Sequence, residues 1–260
     1  GIRTIKMSSK PFQQGFKGKS VLVTGHTGFK GSWLTQWLLS IGAKVTGISN
    51  EVPTTPSLYE ALDLKADIED IRLDITDFDA LSVELNRIEP DIVFHLAAQP
   101  IVKEGLRNPS RTFLSNSIGT MHLLESVRVG FKPKAMVMIT SDKAYRNNEW
   151  EWGYRESDEL GGDDPYSASK GCAELIIRSY VTSFFSGETH PNIASARAGN
   201  VIGGGDWSDA RIIPDAVKAW VSDETLTIRS PKATRPWQHV LEPLSGYLTL
   251  GAHLLESSDN

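Results

Sequence analysis

Short apolar runs rich in β-branched residues alternate along this chain with stretches whose apolar positions recur every three or four residues. Ser20-Val21-Leu22-Val23-Thr24 is such a run and stops at Gly25; Trp33, Leu34, Trp37, Leu38 and Ile41 then repeat at helical spacing. The same alternation predicts strands at Lys44–Ser49, Ile68–Leu73, Asp91–Leu96, Ala135–Thr140 and Asn192–Arg197. It predicts helices near Leu58–Leu62, over Phe78–Ile88, over about Arg111–Val129, from about Asp164 onward, and over Pro243–Leu255. Strands alternating with helices imply an α/β fold, a doubly wound parallel sheet of the Rossmann-like kind. Periodicity weakens beyond Gly203, which sets the expected organisation: a lead-in over 1–18, a dinucleotide-binding domain over 19–202, and the start of a smaller C-terminal substrate lobe over 203–260.

The 260 residues suffice for such a core, and a 40% hydrophobic fraction is ordinary for a globular chain. A net charge of −5 offers no general attraction to nucleic acid or to an anionic membrane. An anionic ligand must therefore be held by local groups such as Arg197, Arg211 and Arg235. The single cysteine, Cys172, excludes an internal disulfide and a cysteine-based zinc site; it reads as a small buried thiol and fits a reducing compartment. No run is long and apolar enough for a membrane helix, and no signal-peptide core opens the chain, so a cytoplasmic protein is expected. The histidines lack ligand spacing, so no metal is expected.

Three patterns carry chemistry. Gly25, Gly28 and Gly31 sit between a strand and an amphipathic helix, where their lack of side chains lets a pyrophosphate approach backbone amides. Ser49-Asn50-Glu51 ends the second strand, where such a fold holds the adenosine ribose. No lysine or arginine follows immediately to receive a 2′-phosphate, so NAD is expected rather than NADP. Asp74 and Ile75 either hold the adenine or, in the case of Asp74, cap a helix. Ala97, Ala98 and Gln99 close the fourth strand with room for a flat cofactor, whereas His95 reads as a core histidine.

The second pattern is Ser141-Asp142-Lys143, emerging from the apolar fifth strand at the edge where ligands of open α/β sheets collect. The third is Tyr166 with Lys170, four apart on one helix face, so that the ammonium can lower the phenol's pKa toward a usable base. Asp142 is an acid that simple alcohol oxidation does not require. Between these patterns, Trp150, Trp152, Tyr154 and Arg155 fall in a loop that either covers a sugar or packs on itself.

The glycine turn with Tyr166 and Lys170 resembles the extended short-chain dehydrogenase/reductase family, and the acid after Ser141 is similar to its nucleotide-sugar 4,6-dehydratase branch. The stretches GHTGFKGSWL at 25–34, TSDKAY at 140–145, EWGYRE at 151–156, YSASKGCAEL at 166–175, RAGNVIGGGDW at 197–207 and RPWQHVLEPLSGY at 235–247 resemble the members of that branch acting on CDP-glucose. That resemblance implies bound NAD, held by Gly25, Thr27, Gly28, Phe29, Lys30, Gly31, Asp74, Ile75, Ala97, Ala98, Gln99, Asn116, Tyr166 and Lys170. It also implies a CDP-glucose substrate held by Asn200, Arg211 and Arg235, and a homodimer or higher homo-oligomer paired through the helices near 111–129 and 166–183. Most of the branch has Asp-Glu where this chain has Asp142-Lys143, so the usual carboxylate base is missing and Lys143 is the candidate in its place.

The implied reaction oxidises the sugar at carbon 4 with Tyr166 as base, steadied by Ser141 and Lys170. Water is then lost across carbons 5 and 6 with Asp142 as acid. A 4-epimerase would share the tyrosine, the lysine and NAD but needs no leaving-group acid. A non-catalytic NAD-binding fragment is the other reading, because the chain stops at Asn260, soon after a helical stretch, and reads as a substrate lobe cut short.

Overall fold

The computed structural model describes residues 13–187, 190–228 and 230–257. In chain order the elements are α1 (Gln13–Phe16), β1 (Ser20–Thr24), α2 (Phe29–Ser40), β2 (Lys44–Ser49), α3 (Leu58–Ala61), β3 (Glu69–Arg72), α4 (Phe78–Ile88) and β4 (Ile92–His95). There follow α5 (Val102–Arg107), α6 (Pro109–Phe113), α7 (Gly119–Val129), β5 (Ala135–Ile139), α8 (Pro165–Phe184), β6 (Asn192–Ala196), β7 (Val201–Ile202), α9 (Ile212–Val221), β8 (Gln238–His239) and α10 (Leu241–Glu256). Strands β1 to β6 form one sheet in the order β3-β2-β1-β4-β5-β6, with every pairing parallel. The order reverses between β1 and β4, which opens a crevice at the carboxyl ends of the strands, the place where doubly wound folds bind ligands.

Side chains alternate across each strand and sort the core into two layers. Val21, Val23, Ile92, Phe94 and Val137 turn toward Leu34 and Leu38 of α2 and Leu244 and Leu248 of α10. Leu22, Val93, Met136 and Met138 turn the other way, toward Leu81 and Leu85 of α4, Leu123 and Leu124 of α7, and Ile177 of α8. Truncating one such buried leucine to alanine costs about 2–5 kcal/mol.

The structure departs from the sequence reading in several places. The helix expected over 111–129 is interrupted by a π-helical turn at Leu114–Ile118, which buries Asn116 and Ser117; the extra residue rotates Asn116 toward the site. Helices α5 and α9 were not expected. Within the expected polar lead-in, α1 buries Phe16 against Phe94, ring centroids 5.9 Å apart; residues 7–12 lie outside the described residues. Helix α10 packs into the core of the sheet, although it follows the domain edge expected at Gly203. No helix among the described residues is long and apolar enough to cross a membrane.

Candidate active site

The turn between β1 and α2 meets the end of β4 with no space to spare. A Cβ at Gly25, whose φ is +78°, would lie 2.7 Å from the Ala97 nitrogen, and one at Gly31 would lie 2.0 Å from the Gly25 carbonyl oxygen. Only glycine satisfies both contacts. Gly28 caps α2 without any side-chain acceptor, which leaves the first amides of the helix, those of Phe29 and Lys30, facing the crevice. A turn that backbone packing restricts to glycine, set at the positive end of a helix whose first amides have no side-chain cap, fits the pyrophosphate of a dinucleotide.

His26 is buried beneath this turn, with Nδ1 3.0 Å from Ser49 Oγ and Nε2 2.9 Å from Asp70 Oδ1; burial, opposed by Asp70, holds its pKa below the ordinary value. Thr27 Oγ1 donates to the Glu51 carbonyl at 2.7 Å, and the Glu51 carboxylate accepts from Arg111 Nη2 at 3.0 Å. An arginine sixty residues away in sequence thus reaches the ribose end of the crevice, where it is already engaged by a carboxylate. Asp74 is exposed and binds the amide and hydroxyl of Thr76 at 2.9 and 2.8 Å. It is not a helix cap, since Asp77 caps α4. Ile75 buries its side chain against Gly119. The Gln99 backbone and the Asn116 amide bond each other in both directions, at 2.7 and 3.0 Å. His95 is a core histidine as expected, with Nδ1 2.7 Å from Thr24 Oγ1 and Nε2 3.1 Å from Thr120 Oγ1.

The catalytic candidates converge at the next strand end. Beyond β5, the amides of Thr140 and Asp142 donate to the carbonyls of Ala196 and Ala198 at 3.0 and 3.2 Å, so β6 guides the backbone past the sheet edge. Ser141 caps the tight turn Asp142–Ala144 by accepting from the Lys143 amide at 3.2 Å, and its hydroxyl donates to Asp142 Oδ1 at 3.0 Å. Helix α8 starts at Pro165 with Asp164 as its cap, accepting from the amides of Tyr166 and Ser167 at 3.0 and 3.1 Å. This places Tyr166 in the first turn, on the side of Ser141, whose side chain acts on its phenol. Burial raises the phenol's pKa, contrary to the lowering expected from Lys170; the Ser141 hydrogen bond and the Arg211 charge act downward, and Asp142 and Asp164 upward. Lys170 is itself lowered to about 8 by burial and by Lys30, with Glu174 opposing.

Lys30 and Tyr247 complete the floor. Lys30 Nζ lies 3.5 Å from Tyr247 Oη, and burial, reinforced by Arg211 and opposed by Asp142, lowers it to about 8. Burial raises the Tyr247 phenol, as do Tyr166 and Asp142. Sequence reasoning missed Tyr247 and Glu174 as site residues; Glu174 was signalled by its register with Tyr166 and Lys170 on α8, and Tyr247, on α10, by nothing local. Arg211 faces Tyr166 and Lys30 but is bound to Asp206 at 3.0 Å. Asn200 is half-buried, and its carbonyl accepts from the Gln238 amide at 3.1 Å. Arg235 is exposed and donates to the Thr234 carbonyl at 2.7 Å, outside this cluster. Arg197, weighed as an anion holder, is engaged by Glu174 at 2.8 Å. Lys143 is half-buried. The loop aromatics pack on one another: Tyr145 stacks on Tyr154 at 5.1 Å and Trp150 on Trp152 at 5.3 Å. Cys172, read as buried, is half-buried. No cluster that could hold a metal occurs among the described residues.

Comparison with known proteins agrees with this geometry. The chain is 50% identical over 243 residues to a CDP-glucose 4,6-dehydratase of Salmonella typhimurium, covering 92% of this chain and 68% of that protein. It is 26% identical to a dTDP-D-glucose 4,6-dehydratase of Dictyostelium discoideum, covering 88% of this chain and 54% of that one; the chain thus spans between about half and two thirds of these relatives' length. Its fold matches a UDP-glucuronic acid 4-epimerase of Bacillus cereus, in complex with UDP-glucuronic acid and NAD, with a TM-score of 0.74 at 26% identity, covering 86% of this chain and 70% of that one. Residues 22–250 match the family model of GDP-mannose 4,6 dehydratase, and the chain belongs to that family.

Proposed function

We propose that this chain dehydrates CDP-glucose to CDP-4-keto-6-deoxyglucose with NAD as cofactor. The observation that carries the reading is the placement of an acid and a phenol about one serine: Ser141 donates to Asp142 at 3.0 Å, and the same side chain acts downward on the pKa of the Tyr166 phenol. The glycine cradle and the uncapped start of α2 would hold the pyrophosphate of NAD, which supplies a hydride acceptor and donor when bound. Tyr166, with Ser141 and the Lys170 ammonium stabilising its ionised form, takes the proton of the sugar 4-hydroxyl. The resulting ketone acidifies carbon 5, whose proton passes to a base, for which Lys143 is the candidate. Asp142 gives its proton to the departing 6-hydroxyl and water leaves; the 5,6-double bond is then saturated by return of the carbon 4 hydride to carbon 6 and of a proton from the base to carbon 5, which gives the 6-deoxy product. An epimerase has no use for that last proton, so Asp142 favours the dehydratase. Asn200 and Arg211 would contact the nucleotide diphosphate, Arg211 in exchange for its Asp206 partner. The identity to a CDP-glucose enzyme supports cytosine as the base.

The protein is further proposed to be cytoplasmic and to pair with a second copy of itself through α6, α7 and α8. There an apolar hollow of about 390 Å³ is lined by Phe113, Ser117, Ile118, Cys172, Leu175 and Ile176. The experiment that tests the reaction offers CDP-glucose, dTDP-glucose and GDP-mannose in parallel and weighs the products. Loss of one water from CDP-glucose alone is expected; an epimer of unchanged mass, resolved from its substrate by chromatography, would sink the proposal.

A further inference from the structure

We propose that Glu174 and Arg197 are a positioning pair that holds the two halves of the active site, the β5 end bearing Ser141 and Asp142 and the α8 face bearing Tyr166 and Lys170, in one register. The proposal rests on the dehydratase reading for its kinetic consequences and on geometry for its structural ones. Tyr166, Lys170 and Glu174 follow one another at intervals of four along one face of α8, and all three are buried, at 8%, 6% and 5% exposure. The carboxylate of Glu174 accepts from four donors: Oε1 from Arg197 Nε at 2.8 Å and from Thr140 Oγ1, Oε2 from Arg197 Nη2 and Ser195 Oγ, both at 3.0 Å. Thr140 immediately precedes Ser141. Ser195 is on β6 and Arg197 just beyond it, flanked by the carbonyls that receive the Thr140 and Asp142 amides.

One carboxylate therefore joins three elements at the point where their backbones separate from the sheet. A forked guanidinium fixes the plane of that carboxylate as no single donor could. An apolar pair of similar volume serves the stability of a buried site at least as well as an ion pair does, so stability alone does not explain a charge here. Its place explains it: the next residue after Thr140 carries the hydroxyl that meets Tyr166, and the next turn before Glu174 carries Lys170. The other face of Arg197 stacks on Tyr145, with Cζ 4.6 Å from the ring centroid, which extends the clamp to the root of the aromatic loop.

The test compares the parent chain with Glu174→Gln and with the apolar double variant Glu174→Met/Arg197→Met. Lys170 faces Lys30 from α2, His95 from β4 and Glu174 on its own helix. Its titration, followed by NMR of isotope-labelled lysine, should fall by about half a unit or more in both variants, because the carboxylate that holds the ammonium up is gone. Crystal structures should show Ser141 and Tyr166 farther apart in the double variant than in the parent. With CDP-glucose, kcat should drop ~10–100-fold while KM stays within about threefold. A folded double variant that keeps the Lys170 titration and the Ser141–Tyr166 contact of the parent overturns the proposal. Should the double variant fail to fold, the Lys170 titration in Glu174→Gln decides alone. A parent chain that leaves CDP-glucose untouched sinks the dehydratase reading, while titration and contact still decide the role of the pair.

Discussion

Ser141 Oγ donates its hydrogen to Asp142 Oδ1 at 3.0 Å, and the same hydroxyl is the one that would stabilise an ionised Tyr166. A serine hydroxyl has a single hydrogen to give. While Asp142 is a carboxylate it claims that hydrogen; once Asp142 carries a proton, the hydrogen is released to the phenolate. A protonated acid and an ionised base therefore favour each other across one oxygen atom. Dehydration needs this combination, because the residue that must donate to the leaving hydroxyl has to hold its proton while Tyr166 accepts one.

Replacing Asp142 with Asn separates the two roles. The carboxylate charge that pushes the phenol upward disappears, so proton removal from the 4-hydroxyl should extend to lower pH in the variant than in the parent. Water loss should fall by ~10²–10⁴-fold, the usual worth of a positioned general acid. Trapping the sugar with borodeuteride and weighing it distinguishes a 4-ketone that has kept its water from one that has lost it. Undiminished water loss in Asp142→Asn would remove the acid from the mechanism.

The two buried lysines should make activity and stability diverge at alkaline pH. Lys30 and Lys170 are both lowered to about 8 in the folded chain from an ordinary 10.5. Between those values the unfolded chain binds more protons than the folded one, so the contribution of these groups to stability rises with pH. The Lys170 ammonium, which supports the phenolate, is lost over the same interval, and turnover should decline above about 8. Lys30→Met removes the like charge that helps lower Lys170, so the alkaline limb of kcat should move upward. A limb that stays in place would show that another group sets it.

The parts of this fold that sequence reading recovers are those governed by local pattern. Strands β1 and β2 and helix α4 run where hydrophobic periodicity sets them, and Gly25, Gly31, Ser141 and Tyr166 each fall at a strand end or in a first helical turn, as their local sequence indicates. What escaped depends on contacts between distant residues. The π turn around Asn116 preserves helical periodicity on both sides and so leaves no trace in it. Glu174 looks like any polar helix residue until Thr140, Ser195 and Arg197 surround it. Tyr247 lies on a helix placed after the expected domain edge, and only packing against the sheet brings it beneath Lys30. The phenol expected to be lowered stands raised because a sequence shows the neighbouring lysine but not the depth of burial.

Arg111 illustrates the same blindness with a consequence for cofactor choice. The sequence near Glu51 contains no cation, yet the fold brings Arg111 Nη2 within 3.0 Å of Glu51 Oε1 at the ribose end of the crevice. The carboxylate neutralises the arginine and would repel a 2′-phosphate. Glu51→Gln frees the guanidinium and removes the repulsion, so the preference for NAD over NADP should shrink about tenfold or more, equivalent to ~1.4 kcal/mol. Fluorescence titration of both cofactors measures it. An unchanged ratio would mean that the arginine does not face the ribose.

The proposed pairing of two copies makes its own prediction. Leu114 and Leu175 are 48% and 55% exposed beside the hollow lined by Phe113, Ile118 and Ile176. This apolar hollow with its exposed leucines is the surface on which the pairing is proposed. A second copy of the same helices would bury it by two-fold symmetry, with α8 of each copy against the other. Leu175→Glu places a charge in that contact without touching the crevice, and should convert a dimer into a monomer in sedimentation while cofactor binding stays within about threefold. The parent's unfolding midpoint should rise with protein concentration, because dissociation is coupled to unfolding, and the variant's should not. A parent chain that sediments as a monomer at micromolar concentration would leave this face without its partner and defeat the assignment.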